Sequence, residues 1–201
     1  NVPMAVSNAL SSSLIPSVSR AVAVGDIKQV RNRVAVAVRF SMLIAIPATV
    51  GLTVLAGPVN NLLFSGDNSL AIQMTLYGSV AVVFYSMSTV TNAILQGIDK
   101  MHLPIIHALI ALVLHIGVLE VFALMFDLGI YSMVFANIFF AVLMCILNHF
   151  AIRRIIGYRQ EIRKTFLIPT VSAALMGVCT FGVYKGVYAG LKSNAISTML
   201  S

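Results

Sequence analysis

Long apolar runs separated by short polar connectors are the dominant pattern of this chain. A helix needs about 20 consecutive apolar residues to cross the hydrocarbon core of a bilayer. Helices are the expected conformation because a backbone surrounded by lipid must satisfy its own hydrogen bonds. The pattern predicts six membrane-spanning helices, at residues 1–18, 34–64, 70–95, 103–126, 130–152 and 166–191.

The composition agrees with this pattern. Of the 201 residues, 59% are hydrophobic and 9% are charged, whereas a typical soluble domain is about 25% charged. So few charges would not cover a surface that faces water. We therefore expect an all-α integral membrane protein, a bundle of about six transmembrane helices. The first residue is Asn1 and no cleavable signal peptide is visible, so we expect a piece of a longer protein.

Basic residues alternate between connectors and predict the orientation. Connectors one, three and five, with the residues that border them, hold eleven of the thirteen Lys and Arg residues, whereas connectors two and four offer only Asp67 and Asp127. Lys185 and Lys192 near the end fall on the other face. Because positive residues collect on the cytoplasmic side, the odd connectors are expected in the cytoplasm. The eleven are Arg20, Lys28, Arg31, Arg33, Arg39, Lys100, Arg153, Arg154, Arg159, Arg163 and Lys164.

The usual signatures of catalysis are missing from the sequence. It has no nucleophile next to a base, no carboxylates at usable spacing, no phosphate-binding glycine loop and no metal-ligand cluster. Cys145 and Cys179 lie in separate predicted helices and are interpreted as small buried hydrophobes. The basic residues are divided among loops without interleaved aromatics, which argues against nucleic acid as a partner. We expect a protein that is not an enzyme and has no cofactor.

Two ionisable residues, His115 and Glu120, fall inside the fourth predicted span. Such groups are costly in lipid and are functional candidates by default. Five positions apart, they lie about 140° from each other around a helix, so we do not expect them to pair. Each could line an aqueous cavity on the substrate path or bind a neighbouring helix. The alternatives are a neutral His115 imidazole bonded within the bundle and a Glu120 carboxylate that reaches water at the outer face.

Uncharged polar residues form a second group, in spans one and three. Each one is expected to bond between helices, but together they would form a polar seam suited to the passage of a hydrophilic solute. Prolines within several spans indicate either bending between two states or ordinary packing. The polar residues are Ser7, Asn8, Ser11, Ser12, Ser13, Ser86, Ser88, Thr89, Thr91, Asn92 and Gln96.

Several short motifs resemble the MOP flippase superfamily, which includes MurJ-type lipid II flippases, the stage V sporulation protein B branch and polysaccharide flippases. Residues 14–19 (LIPSVS) and Gly25-Asp26 are similar to the eighth helix of that superfamily and the loop after it. Ile46-Pro47, residues 55–58 (LAGP) and Leu63-Phe64 are similar to the ninth. Leu95-Gln96-Gly97 with Lys100 and Pro104 favours the sporulation and polysaccharide branch over MurJ itself.

The resemblance implies the C-terminal lobe of a two-lobed, MATE-like transporter in the bacterial cytoplasmic membrane, with the N-terminal lobe missing. The implied partners are membrane lipid and an undecaprenyl-linked glycan, which the protein exports by alternating access. Arg20 and Arg39 would meet the pyrophosphate, and Asn92 and Gln96 would lie on the path. Two features depart from the family pattern: His115 stands where lysine is common, and Tyr131-Ser132-Met133 replaces a run of small residues.

Three alternatives remain open at this point. A MATE-type drug or metabolite antiporter would use Glu120 as its deep acidic residue. A membrane glycan polymerase or ligase would need a sizeable outer loop with catalytic Arg or His, and the outer connectors have only a few residues. A scaffold without transport activity has no specific support.

Overall fold

The computed structural model describes residues 2–64, 68–124, 129–158, 160–161 and 163–199, and within these ranges the chain is helical without any strand. This confirms the all-α prediction. The predictions made for Asp67, Asp127 and Arg159 lie outside the described residues, as do those for the side chains of Lys185 and Lys192. The helices are α1 (Val2–Ala23), α2 (Ile27–Val54), α3 (Ala56–Leu63), α4 (Ser69–Gly97), α5 (His102–Leu124), α6 (Tyr131–Ile156) and α7 (Ile168–Met199), with a π-helical turn at Arg163–Leu167 before α7.

Five segments of the described chain are long and apolar enough to cross a membrane: α2, α4, α5, α6, and the stretch from Arg163 to Val183. The first predicted span, residues 1–18, is a helix of 22 residues in the structure, which is long enough to cross. It differs from the other five in composition, because serines and Asn8 interrupt its apolar residues.

The second predicted span requires a correction, because residues 34–64 are not one helix. The structure has α2, which begins at Ile27 and ends at Val54, and the short α3 after it. Pro58 explains the break: it has no N–H to donate to the carbonyl of Val54, four residues earlier, and its ring would collide with that carbonyl. As the third residue of α3, Pro58 stands in a first turn, where the missing N–H does no harm.

Helix α4 lies at the centre of the bundle. It packs against α1 and α2 on one side and α6 on the other, while α5 packs mainly on α6, and α7 packs on α2. The apolar core between α1, α2, α4 and α6 includes Val18, Val30, Val34, Ile94 and Ile152, each at most 2% exposed. The outward faces of α5 and α7 carry exposed Leu, Ile and Val side chains, as expected for helices that meet lipid.

Connectors one, three and five meet at one end of the bundle, which we call the basic end. The Ser19 hydroxyl donates to the Gly97 carbonyl at 3.0 Å, which joins the ends of α1 and α4. The Arg31 Nε donates to the Ile156 carbonyl, which joins the start of α2 to the end of α6. The three connectors that carry the basic residues therefore lie at the same end of the bundle.

The Gly25-Asp26 pair forms the turn between α1 and α2. Gly25 has a φ of +75°, and the N–H groups of Gly25 and Asp26 donate to the carbonyls of Val22 and Ala21. These are the two hydrogen bonds of a Schellman motif, in which glycine is preferred. The Asp26 carboxylate then caps α2 by accepting from the Gln29 N–H at 2.8 Å.

Candidate functional site

The outer face of α1 is polar. Asn8, Ser12 and Ser13 are exposed on it, whereas Ser7 and Ser11 face inward and are buried. The Ser12 hydroxyl donates to the Asn8 carbonyl at 3.0 Å, and the Ser13 hydroxyl donates to the Leu10 carbonyl at 2.8 Å. These bonds satisfy the hydroxyl protons within the helix. The face combines small side chains with polar groups, which suits water or a polar solute better than lipid.

Arg20 lies in the last turn of α1, at the basic end. It is exposed, and its Nε donates to the Pro16 carbonyl at 3.2 Å. Among the described residues it has no acidic partner within ion-pair distance. Its guanidinium therefore keeps most of its donors available at the mouth of the polar α1 face.

Arg39 has a different environment. Its Nη2 lies 2.7 Å from Glu161 Oε2, and Lys164 approaches the same carboxylate oxygen at 3.1 Å. The Arg39 Nε is buried without a hydrogen-bond partner. This ion pair joins α2 to the segment between α6 and α7. The guanidinium of Arg39, unlike that of Arg20, is therefore already engaged by a carboxylate of the same chain.

The acidic partner in this segment has an altered pKa. The hydrogen bond from Lys164, followed by the charge of Arg39, lowers the pKa of Glu161 from its ordinary value of 4.5. Nearby, burial raises the pKa of Tyr158. Tyr158 packs into the apolar core, so the segment after α6 is held to the bundle by an ion pair and a buried aromatic ring.

Asn92 belongs to a buried polar network between α4, α5 and α6. The Asn148 amide is fully buried and donates to Asn92 Oδ1 at 2.7 Å and to Thr91 Oγ1 at 3.0 Å. Its carbonyl oxygen lies 2.8 Å from His107 Nδ1, which therefore carries the proton that it donates. Gln96, one turn beyond Asn92, is partly exposed.

His115 and Glu120 on α5 do not pair with each other, as predicted. His115 Nδ1 lies 2.9 Å from the Ala136 carbonyl, and the imidazole meets the Phe140 ring edge-on. Glu120 is exposed, and within the described part of the chain it has no hydrogen bond or ion pair. Among the residues that the structure describes, Glu120 is not brought together with His115 or with another acidic group.

The polar seam predicted on two helices is divided by the structure. Ser86, Ser88 and Thr91 on α4 are at most 6% exposed and face the interior of the bundle, whereas α1 presents exposed polar groups. In the described ranges no group of three or more His, Cys, Asp or Glu side chains could hold a metal ion.

Sequence reasoning missed Asn148, His107 and Glu161. An asparagine within the apolar sequence of α6 is a signal that could have identified Asn148, because an unpaired amide in a membrane helix is unfavourable. Glu161 offered no such signal, because it stands in an exposed basic connector and its partner Arg39 is far away in the sequence.

Comparison with known proteins identifies the family. Residues 3–194 match the model of the lipid II flippase MurJ family. The chain belongs to the MurJ family. Among the branches of the superfamily that the sequence motifs resemble, this match supports the MurJ branch. It gives no support to the predicted preference for the sporulation and polysaccharide branch.

A curated relative agrees with this assignment. The lipid II flippase MurJ of Bacillus subtilis (strain 168) is 26% identical over 116 residues, which cover 56% of this chain and 21% of the relative. The chain thus matches about a fifth of that MurJ protein. No solved structure shows a significant match.

Proposed function

We propose that this chain is part of a flippase that moves a lipid-linked saccharide, with lipid II as the first candidate, across the bacterial cytoplasmic membrane. Membership of the MurJ family and the membrane-spanning helices support this function. We further propose that the chain is the C-terminal lobe of the transporter. The structural observation that carries the proposal is the exposed polar face of α1, with Asn8, Ser12 and Ser13.

The chemistry of the cargo explains why such a face is needed. A flippase must move a saccharide and a diphosphate through the membrane while the lipid tail stays in the bilayer. Lipid offers no hydrogen bonds to sugar hydroxyls, so the path must supply them or admit water. The side-chain amide of Asn8 and the oxygen of Ser12 supply such groups on a helix that otherwise packs against the bundle.

Arg20 is the proposed contact for the diphosphate. It lies at the basic end of the polar α1 face, is exposed, and has no carboxylate partner among the described residues. Guanidinium groups form strong, often bidentate hydrogen bonds with phosphate oxygens. By the distribution of positive charge, the basic end faces the cytoplasm, where the lipid-linked precursor would enter.

The other candidate residues fall into two groups, according to whether their side chains already bond to another part of the protein. We propose supporting roles for Arg39, Asn92 and His115, because each already bonds to another part of the protein. Gln96 and Glu120 remain candidates for the path, since their side chains have no partner in the described part of the chain. Rocking of one lobe against the other would expose the α1 face to each side in turn.

The test uses the full-length parent protein in cells that depend on it. The readout is the fraction of lipid II at the outer face of the membrane that an added, impermeant hydrolase degrades. We expect Arg20→Ala to lower the translocation rate roughly tenfold, the effect of losing one hydrogen bond to a charged group. Arg20→Lys should retain part of the rate, because the positive charge remains.

Arg154→Ala is the matched control, because Arg154 is also exposed at the basic end but lies on α6. It should leave translocation unchanged. Arg39→Ala tests whether the two arginines have different roles. If it lowered the translocation rate as much as Arg20→Ala while the protein stayed folded, the proposed supporting role of Arg39 would be wrong. Normal translocation in Arg20→Ala would exclude Arg20 as the diphosphate contact.

A further inference from the structure

A groove runs between α1 and α2 from the basic end toward the middle of the bundle. Its volume is about 490 Å³, within the range of about 300–1,000 Å³ found for small-molecule sites. Its walls are largely apolar. Arg33 and Ser17 lie toward the basic end, and Ser13 lies one turn farther along the groove. The apolar wall includes Leu10, Leu14, Val36 and Phe40.

The depth of the groove corresponds to a single leaflet. On α2 it extends from Asn32 to Phe40, and at 1.5 Å per residue this is about 12 Å along the helix axis. Half of a hydrocarbon core is about 15 Å. A chain that lay in the groove would therefore belong to the leaflet at the basic end.

Arg33 places an uncompensated charge at the mouth of the groove. Its Nη1 donates to the Ser17 carbonyl at 2.7 Å and to the Ser17 hydroxyl, and its Nη2 donates to Gln29 Oε1 at 2.8 Å. All three acceptors are neutral, and in the described part of the chain no carboxylate lies within ion-pair distance of Arg33. A guanidinium has five N–H groups, so two remain available after these bonds.

We propose that this groove binds an anionic phospholipid from the leaflet at the basic end. The phosphate lies at Arg33 and one acyl chain runs along Leu14, Val36 and Phe40. Charge complementarity decides between occupants, because a fixed cation above an apolar channel matches an anionic headgroup with an attached chain. This bound lipid is a constituent of the membrane and not the transported cargo.

The experiment places the full-length parent protein in vesicles of phosphatidylglycerol or phosphatidylcholine, each with a photoactivatable acyl chain. Mass spectrometry of the crosslinked peptides locates the labelled residues. We expect about fivefold more labelling of the α1–α2 groove with phosphatidylglycerol, the preference that one cation at a membrane surface provides. Arg33→Gln should abolish the preference, and Arg33→Lys should keep it.

Two controls separate lipid binding from misfolding. Arg154→Gln removes a charge from the same end of the bundle outside the groove and should keep the preference. Val36→Trp keeps Arg33 but fills the groove, because Val36 is 64% exposed on its wall, so labelling should fall with both lipids. Val113→Trp, at a position 69% exposed on α5, should leave labelling of the groove unchanged.

Three outcomes would overturn the proposal. Equal labelling by the two lipids in the wild type would remove the role of charge. Absence of labelling in the groove would mean that another part of the parent protein covers it. Displacement of the label by the saccharide-linked lipid would identify the occupant as the tail of the cargo and not a phospholipid.

Discussion

Ser19 on α1 donates a hydrogen bond to the backbone carbonyl of Gly97 on α4 at 3.0 Å, where the two helices come very close. A Cβ on Gly97 would stand 2.9 Å from the Cβ of Val18 and 3.2 Å from the carbonyl oxygen of Ile15. The glycine of the Leu95-Gln96-Gly97 motif is therefore explained by packing. It lets α4 approach the proline-containing end of α1.

Replacing this glycine should loosen the contact. We expect Gly97→Ala to lower the free energy of unfolding by about 1–3 kcal/mol, the usual effect of overpacking, as measured by thermal unfolding of the purified protein in detergent. Gly117→Ala on α5 is the control, since a Cβ there meets nothing within 4 Å. The control should match or slightly exceed the wild type because alanine favours helix. Equal stability of the two variants would show that the close approach is not required.

The buried amide of Asn148 should contribute to stability. Asn148→Leu keeps a similar volume but leaves His107, Thr91 and Asn92 without their shared partner. We expect a loss of about 1–2 kcal/mol, near the upper end of hydrogen bonds between membrane helices, in the same unfolding assay. Asn8→Leu, on the exposed face of α1, should have little effect. A stable Asn148→Leu variant would mean that His107, Thr91 and Asn92 find other partners.

The ion pair between Arg39 and Glu161 predicts a dependence on pH. Because the pKa of Glu161 is lowered in the folded protein, its carboxylate stabilises the docked segment fully above the ordinary value of 4.5. The contribution disappears as the pH falls through the lowered pKa. Hydrogen exchange of the Thr165 amide, which donates to the Glu161 carbonyl at 3.0 Å, should therefore become less protected at acid pH after correction for the intrinsic rate.

Glu161→Gln provides the reference for this measurement. It should show reduced protection of Thr165 already at neutral pH, and little further change on acidification. Asp99→Asn, which removes an acidic group from a different connector, should keep the response of the wild type. Persistence of the pH response in Glu161→Gln would assign it to another group.

The turn after α4 offers a way to raise stability. Asp99 has a φ of +60°, and the N–H groups of Asp99 and Lys100 donate to the Gln96 and Leu95 carbonyls at 3.0 and 2.9 Å. This is a Schellman motif with aspartate where glycine is usual. We expect Asp99→Gly to raise the unfolding free energy by up to about 1 kcal/mol, because glycine adopts positive φ without steric strain. Asp99→Ala should be no more stable than the wild type, and greater stability of Asp99→Ala would contradict this explanation.

The helical class and the order of helices could be predicted from apolar runs, because lipid requires such runs. The ends of α2 could not: Lys28, Arg31 and Arg33 are polar but helical, since α2 begins before its apolar part, and Pro58 divides the run at its other end. A run of apolar residues predicts which part of a helix lies in the membrane core, but it does not predict where the helix begins or ends.

The candidate site was only partly predictable for a different reason. Residue type identified Arg20 and Asn92 as polar groups near predicted spans, but their directions depend on helices distant in sequence. Asn92 faces inward because Asn148, 56 residues away, bonds to it. Arg39 is engaged because Glu161 approaches it from the segment after α6.

The attachment of α5 has a consequence for the surrounding bilayer. This helix of 23 residues packs mainly on α6 and has few contacts with α4, so its outer part, away from the His107–Asn148 hydrogen bond, can tilt with little effect on the centre of the bundle. At 1.5 Å per residue it is about 35 Å long, slightly more than the roughly 30 Å hydrocarbon core. When membrane thickness changes, adjustment by tilt should be concentrated in α5, and the α1 face should keep its geometry.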